Sequence, residues 1–146
     1  MPKNEFKLNE KDKLALAQMV YGENVGQADD VLKMTIQSAI NRLRSGKTKE
    51  FGGTMGDVLK KGYYAVRNPN VPYKESVSGK FSDVSSKAKF GAIKKLVDVI
   101  VGDQDFGNAM FYFTPEEEIK LNKSKGFNFK AVKPTGKVGQ YNTYGY

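Results

Sequence analysis

The stretch Leu14-Ala15-Leu16-Ala17-Gln18-Met19-Val20-Tyr21 holds one plainly polar side chain, Gln18. Asn9, with Asp12 three residues later, supplies a capping-box-like start just ahead of it, and Gly22 predicts its end. A helix that is apolar almost all round cannot lie on a surface. It needs partners on every side, so the rest of the chain must be arranged around it. With 146 residues, 39% of them apolar, the chain has the material for one such core and reads as a single domain, 1–146.

Other elements follow from period and punctuation. Asp29 and Asp30 suit the positive end of a second helix. Its apolar stripe is Leu32, Ile36, Ala39, Ile40 and Leu43, with Lys33, Gln37, Asn41 and Arg44 on the opposite side and Gly46 at its end. Thr54, with Asp57 three residues on, caps a short third helix through Val58 and Leu59 to Gly62. Residues 63–81 mix turn formers with rings and read as irregular. A long helix from Ser82 or Asp83 to Val101 turns Phe90, Ile93, Val97 and Ile100 inward, and Gly102 closes it. Beyond it the period shortens. Met110 to Phe113 predicts a strand, Glu116 to Leu121 a helical turn, and the alternation of Phe127, Phe129 and Ala131 extended chain. Pro134-Thr135-Gly136 predicts a turn before a last segment carrying Tyr141, Tyr144 and Tyr146. The fold class is α+β, mostly α, with a small antiparallel sheet near the C-terminus.

Composition removes whole chemistries. The chain has no Cys and no His, which excludes disulfides, thiol nucleophiles, ordinary zinc sites and His-dependent triads. Acid–base work near neutral pH would fall to a carboxylate, Lys or Tyr. No apolar run approaches the roughly 18 residues of a membrane helix, so no membrane span is expected. The 24 basic against 16 acidic residues, a formal +8, favour a polyanionic partner. The lysines are scattered, and no zinc finger, aromatic RNA-binding signature or basic tail accompanies them. A nucleic-acid module is therefore the less favoured partner reading.

One carboxylate stands out. Glu23 follows the apolar helix in Tyr21-Gly22-Glu23-Asn24, where partial desolvation favours the protonated form a general acid needs. The segment Tyr63-Tyr64-Ala65-Val66-Arg67-Asn68 and the strand Phe111-Tyr112-Phe113 bring rings and polar groups to irregular or edge structure. Sugars offer apolar ring faces and many hydroxyls, which such residues can meet; about half of the rings could equally be core, and tyrosines beside basic residues could stack on single-stranded nucleic acid. Phe51-Gly52-Gly53-Thr54-Met55-Gly56 lacks the Gly-Lys-Ser/Thr ending of a P-loop. Glu116-Glu117-Glu118 suit a helix N-terminus better than a metal site. No metal and no cofactor is expected.

Tyr21-Gly22-Glu23, followed eighteen residues after the Glu by Asn41-Arg42 in Ile40-Asn41-Arg42-Leu43, resembles the SleB/CwlJ-type cell-wall hydrolases, the spore-cortex-lytic family. Tyr63-Tyr64-Ala65 falls where that family has a Gln-Phe-Ser-like element. Ala109-Met110-Phe111-Tyr112-Phe113-Thr114-Pro115 is similar to its Ala-Leu-Tyr-Phe-Tyr-Asn-Pro strand, and Val138-Gly139-Gln140 lies near its closing Ile-Gly-Asn-His element. The likeness spans about Leu14 to Tyr146. There are departures: Glu23-Asn24-Val25-Gly26-Gln27 lacks the family's Arg and second Glu, Thr114 replaces the Asn, and the closing His has no counterpart.

The resemblance implies a lysozyme-like fold, peptidoglycan glycan strands as substrate, and Glu23 as catalytic acid, often in a lytic transglycosylase reaction. Tyr63, Tyr64 and Tyr112 would then line the groove, with Asn41 and Arg67 as polar supports. Anionic cell-wall polymers would suit the basic surface. Hydrolysis by a muramidase, a non-catalytic wall-binding module and a nucleic-acid binder are the alternatives. If water is the nucleophile, Asp29, Asp30 or Glu75 is a candidate to position it. Action at the bacterial cell wall is expected. Because the basic start is not followed by an apolar leader core, a bacteriophage lysin or virion-borne enzyme is the expected setting.

Overall fold

Helix α1 (Glu10–Asn24) begins where the Asn9 carboxamide oxygen accepts the Asp12 N–H at 2.8 Å. Leu16, Ala17, Met19 and Val20 are completely enclosed. What encloses them is a ring of helices: α2 (Asp29–Arg44), α4 (Met55–Gly62), α5 (Tyr64–Arg67), α6 (Val71–Ser78) and α7 (Val84–Asp103) all pack on α1. Leu16, Met19 and Val20 each contribute about 1.5–3 kcal/mol on leaving water, so α1 is the centre of the core in energy as well as position. Two further helices stand outside the ring: α3 (Thr48–Phe51) packs on α2 and α4, and α8 (Pro115–Ser124) on the chain at Phe111–Phe113. The computed structural model describes residues 5–146; residues 1–4, the head of the basic start, lie outside the described residues.

The expected stop at Gly22 does not occur, and α1 runs on to Asn24. Gly22 has another purpose. A Cβ there would come within 2.9 Å of the Tyr73 Cβ and 3.1 Å of the Ala65 Cβ, so α5 and α6 can approach α1 only because the side chain is missing. Glu23 consequently sits in the last helical turn rather than in a loop.

Residues 63–81 are not irregular. Their turn formers serve as caps: Asn70 accepts the Tyr73 N–H at 2.9 Å to start α6, Pro72 occupies its first turn, and left-handed Gly79 ends it. Asn70 also donates to the Gly22 carbonyl at 2.7 Å, tying the start of α6 to the end of α1.

The inward face expected for α7 is found: Phe90, Ile93, Val97 and Ile100 are buried. The helix passes through Gly102 and closes at Gln104, which takes the left-handed conformation and bonds both backbone groups of Phe6.

The C-terminal third forms a three-stranded antiparallel sheet from β1 (Phe111–Phe113), β2 (Lys133–Val138) and β3 (Tyr141–Gly145), with β3 in the centre. Pro134-Thr135-Gly136, expected as a turn, is a register shift inside β2, and the reversal comes at Gly139-Gln140. Phe127 and Phe129 do not lie on a strand. Phe129 opens a 3-10 turn, Phe129–Ala131, and both rings pack against Phe113, with centroids 4.9 and 5.5 Å away. Aromatic packing outweighs the local alternation there. The Glu116–Glu118 run does open a helix: α8 starts with a full capping box between Thr114 and Glu117. The architecture is α+β and mostly α. Among the described residues no helix is long and apolar enough to cross a membrane.

Candidate active site

Glu23 is half-buried in the last turn of α1. Its Oε1 accepts the Ala65 N–H at 2.8 Å, a bond that exists because α5 begins at Tyr64 and leaves its first amides without helical partners. Among the described residues this is the only hydrogen bond to the carboxylate, and no Lys or Arg nitrogen lies within the 4.0 Å of an ion pair. The acid is anchored by one backbone dipole and neutralised by no cation.

A cluster of hydroxyls and phenols lies close by, tied to the residue after the acid and within reach of its charge. On α2, Thr35 and Ser38 are fully buried one turn apart. Thr35 accepts from Asn24, the residue after the acid, at 2.5 Å and donates to the Val31 carbonyl at 2.9 Å. Ser38 and the Tyr63 hydroxyl share a 2.6 Å hydrogen bond. From β1, the Tyr112 hydroxyl faces Thr35 and lies within electrostatic reach of Tyr63 and Glu23. Burial pushes the Tyr63 phenol up, with the Glu23 charge adding to the effect and Arg42 and Ser38 opposing it. Tyr112 is pushed up as well, again chiefly by burial, although part of its ring remains at the surface. Both phenols therefore stay protonated and can act as neutral O–H donors. Glu23 is the carboxylate whose charge reaches both of them.

The residues singled out in the sequence occupy different layers. Tyr64 is 66% exposed beside the amide that holds Glu23, and so offers a free ring face. Tyr63 is buried and supports the site from beneath. Arg67 reaches across α4, donating to the carbonyls of Lys61 at 2.5 Å and Lys60 at 3.3 Å, which caps that helix. Asn41 does not lie on a solvated face. It is buried, and its amide donates to the carbonyls of Phe106 at 2.8 Å and Ala109 at 3.0 Å, fastening the loop ahead of β1 to α2. Glu75 is engaged by the Ser82 N–H at 2.7 Å, and Asp30 caps α2 through the Val31 N–H at 2.9 Å.

Four residues of the site escaped sequence reasoning: Asn24, Thr35, Ser38 and Arg42. The Arg42 guanidinium sits 4.9 to 5.6 Å from the ring centres of Tyr63, Phe111 and Phe51, and its Nε donates to the Met110 carbonyl at 2.7 Å. For Thr35 and Ser38 the available signal was two hydroxyls three residues apart beside the apolar stripe of α2. Comparison of the chain with known protein families, curated proteins and solved structures finds no match in any of the three.

Proposed function

We propose that this protein cleaves peptidoglycan glycan strands between N-acetylmuramic acid and N-acetylglucosamine by lytic transglycosylation, with Glu23 as its acid and base. The observation that carries the reading is the setting of that carboxylate. It is fixed by the Ala65 N–H at 2.8 Å, has no cationic partner among the described residues, and lies within electrostatic reach of the neutral Tyr63 and Tyr112 phenols. The order and spacing of the motifs shared with the SleB/CwlJ-type hydrolases point the same way.

The chemistry needs one such group. Protonated Glu23 gives its proton to the glycosidic oxygen as the bond to the muramic acid C1 breaks. The resulting carboxylate takes the proton of the C6 hydroxyl as that oxygen attacks C1, closing a 1,6-anhydro ring. The substrate supplies the nucleophile, and attack within one sugar has the advantage of a high effective molarity. Two-carboxylate hydrolysis needs a second acid about 5–9.5 Å from the first. Asp30 accepts the Val31 N–H and Glu75 accepts the Ser82 N–H, so both are engaged locally. Tyr64 is the exposed ring beside the acid and would take a sugar face, while Tyr112 would offer its hydroxyl from β1.

The test is digestion of purified sacculi followed by mass spectrometry of the released muropeptides. Anhydro products, lighter than reducing ends by one water, are expected. Borohydride-reducible products carrying that water would mean a muramidase. Release of nothing would leave a binding module.

A further inference from the structure

Away from Glu23, two cavities of about 500 and 450 Å³ lie end to end between the outer face of α2 and strand β2. They share Gly107, Asn108 and Thr135 as a common floor. The α2 residues that wall them recur along one stripe: Asp30, Lys33, Gln37, Asn41 and Arg44. Neither cavity includes any residue of α1.

Charge is distributed unevenly along this groove. The larger cavity is lined by Arg44 and Lys133 and by no acidic side chain. Neither cation has an acidic partner within 4.0 Å among the described residues. Arg44 is held in place, with its guanidinium 4.5 Å from the centre of the Phe106 ring and donating at 3.2 Å to the Asn41 side-chain Oδ1. Lys47 adds a third cation at the rim, 4.3 Å from the ring centre of Tyr146, which lines the same cavity. At the smaller cavity Lys33 is neutralised by Asp105 at 2.6 Å, and Asp30 stands opposite Lys137, so no cationic excess remains. The lining there is Gln37, Asn108, Thr135 and Thr143, groups that bond hydroxyls.

A ligand matched to this groove has an oxyanion at one end and a hydroxylated chain at the other. Nucleobases fit poorly. Tyr146 is the ring lining the cationic cavity, Lys47 covers its face, and its hydroxyl donates to Glu50. Stacking, the main sequence-tolerant grip on single strands, is therefore blocked. A guanidinium fork with flanking ammonium groups suits phosphate or carboxylate oxygens.

We infer that the α2–β2 groove is a second binding site, separate from Glu23, for a polyol or sugar chain bearing phosphate or carboxylate groups. The ligand class follows from the groove lining alone, so it stands or falls independently of the cleavage reading.

The experiment is calorimetric titration at near-physiological salt with three probes of equal charge number: poly(glycerol phosphate), oligogalacturonate and oligo(dT). The wild type is compared with Arg44→Gln/Lys133→Gln, with Lys133→Glu alone, and with Lys120→Gln/Lys123→Gln on α8 as a charge-matched control. Arg44 and Lys133 are exposed, and Lys133→Glu leaves the Arg44–Phe106 stack intact. Losing two charge-assisted contacts should weaken the better of the first two probes by about tenfold or more, against little change for the control. Whichever of those two probes binds identifies the anion as phosphate or carboxylate. Equal losses in groove and control variants, tighter binding of oligo(dT), or no binding of the first two probes by the wild type would each overturn the inference.

Discussion

A side chain's neighbours decide what its substitution reports. Glu23→Gln keeps an oxygen for the Ala65 N–H and so should fold as the parent does, yet it has no proton to give. Sacculus digestion should fall ~10²–10⁴-fold, the usual contribution of a positioned acid. A Gln variant within about tenfold of the parent would remove Glu23 from the mechanism, because that loss is smaller than general acid catalysis supplies. The adjacent tyrosines should separate cleanly. Tyr64 is exposed, so Tyr64→Ala should leave the thermal melt nearly unchanged while lowering glycan turnover. Tyr63 is buried and bonded to Ser38, so Tyr63→Ala should cost about 3–5 kcal/mol of stability in urea unfolding. If the two variants melted alike, the division into a lining ring and a supporting ring would be lost.

At the scale of elements, the site depends on two close joints. Gly22 allows α5 and α6 to meet α1, and the atoms a new Cβ would strike are the first side-chain atoms of Tyr73 and Ala65, which cannot rotate away. Gly22→Ala should destabilise by about 1–3 kcal/mol despite the better helix propensity of Ala. It should also displace the Ala65 amide and so lower activity beyond what the stability loss explains. Unchanged urea midpoint and turnover would mean that the joint is loose. The second joint is Asn41, which fastens the 106–109 loop and thereby β1 and Tyr112 to α2. Removing its amide leaves buried carbonyls without a donor, at about 1–3 kcal/mol each. Asn41→Ala should therefore appear first as lost stability. A variant of parental stability that failed only in substrate binding would return Asn41 to the groove.

Over the whole molecule the phenols set the alkaline limit. Burial raises Tyr63 and Tyr112, a hydrogen bond to Glu118 raises Tyr144 to about 12, and burial with a hydrogen bond to Glu50 raises Tyr146 to about 12. A folded-state value above the unfolded one means that the native protein holds protons the unfolded chain has released. Stability from these groups is then fully present below about pH 10 and drains away as pH rises toward about 12. The urea midpoint should fall steadily across that window. Tyr63→Phe, which cannot ionise, should flatten the fall. A midpoint constant up to about pH 11.5 would contradict the buried phenols.

The division between sequence and tertiary structure follows the range of the forces involved. The positions of α1, α2, α4 and α7, the caps at Asn9, Thr54 and Asp83, the inward face of α7 and the mostly helical class were legible, because capping and 3.6-residue periodicity act within a few residues. Glu23 was conspicuous for the same reason, as a carboxylate at the end of an apolar run. Distant contacts decided the rest. Gly22 reads locally as a stop, but packing on Ala65 and Tyr73 makes it a joint; Asn41 reads as a solvated face, but the carbonyls of a loop some 65 residues away bury it. Pro134 and Gly136 read as a turn until pairing with β3 absorbs them as a register shift. Thr35, Ser38 and Tyr63 meet only when α2 and the start of α5 close on α1, so the polar surroundings of the acid belong to the fold and to no short motif.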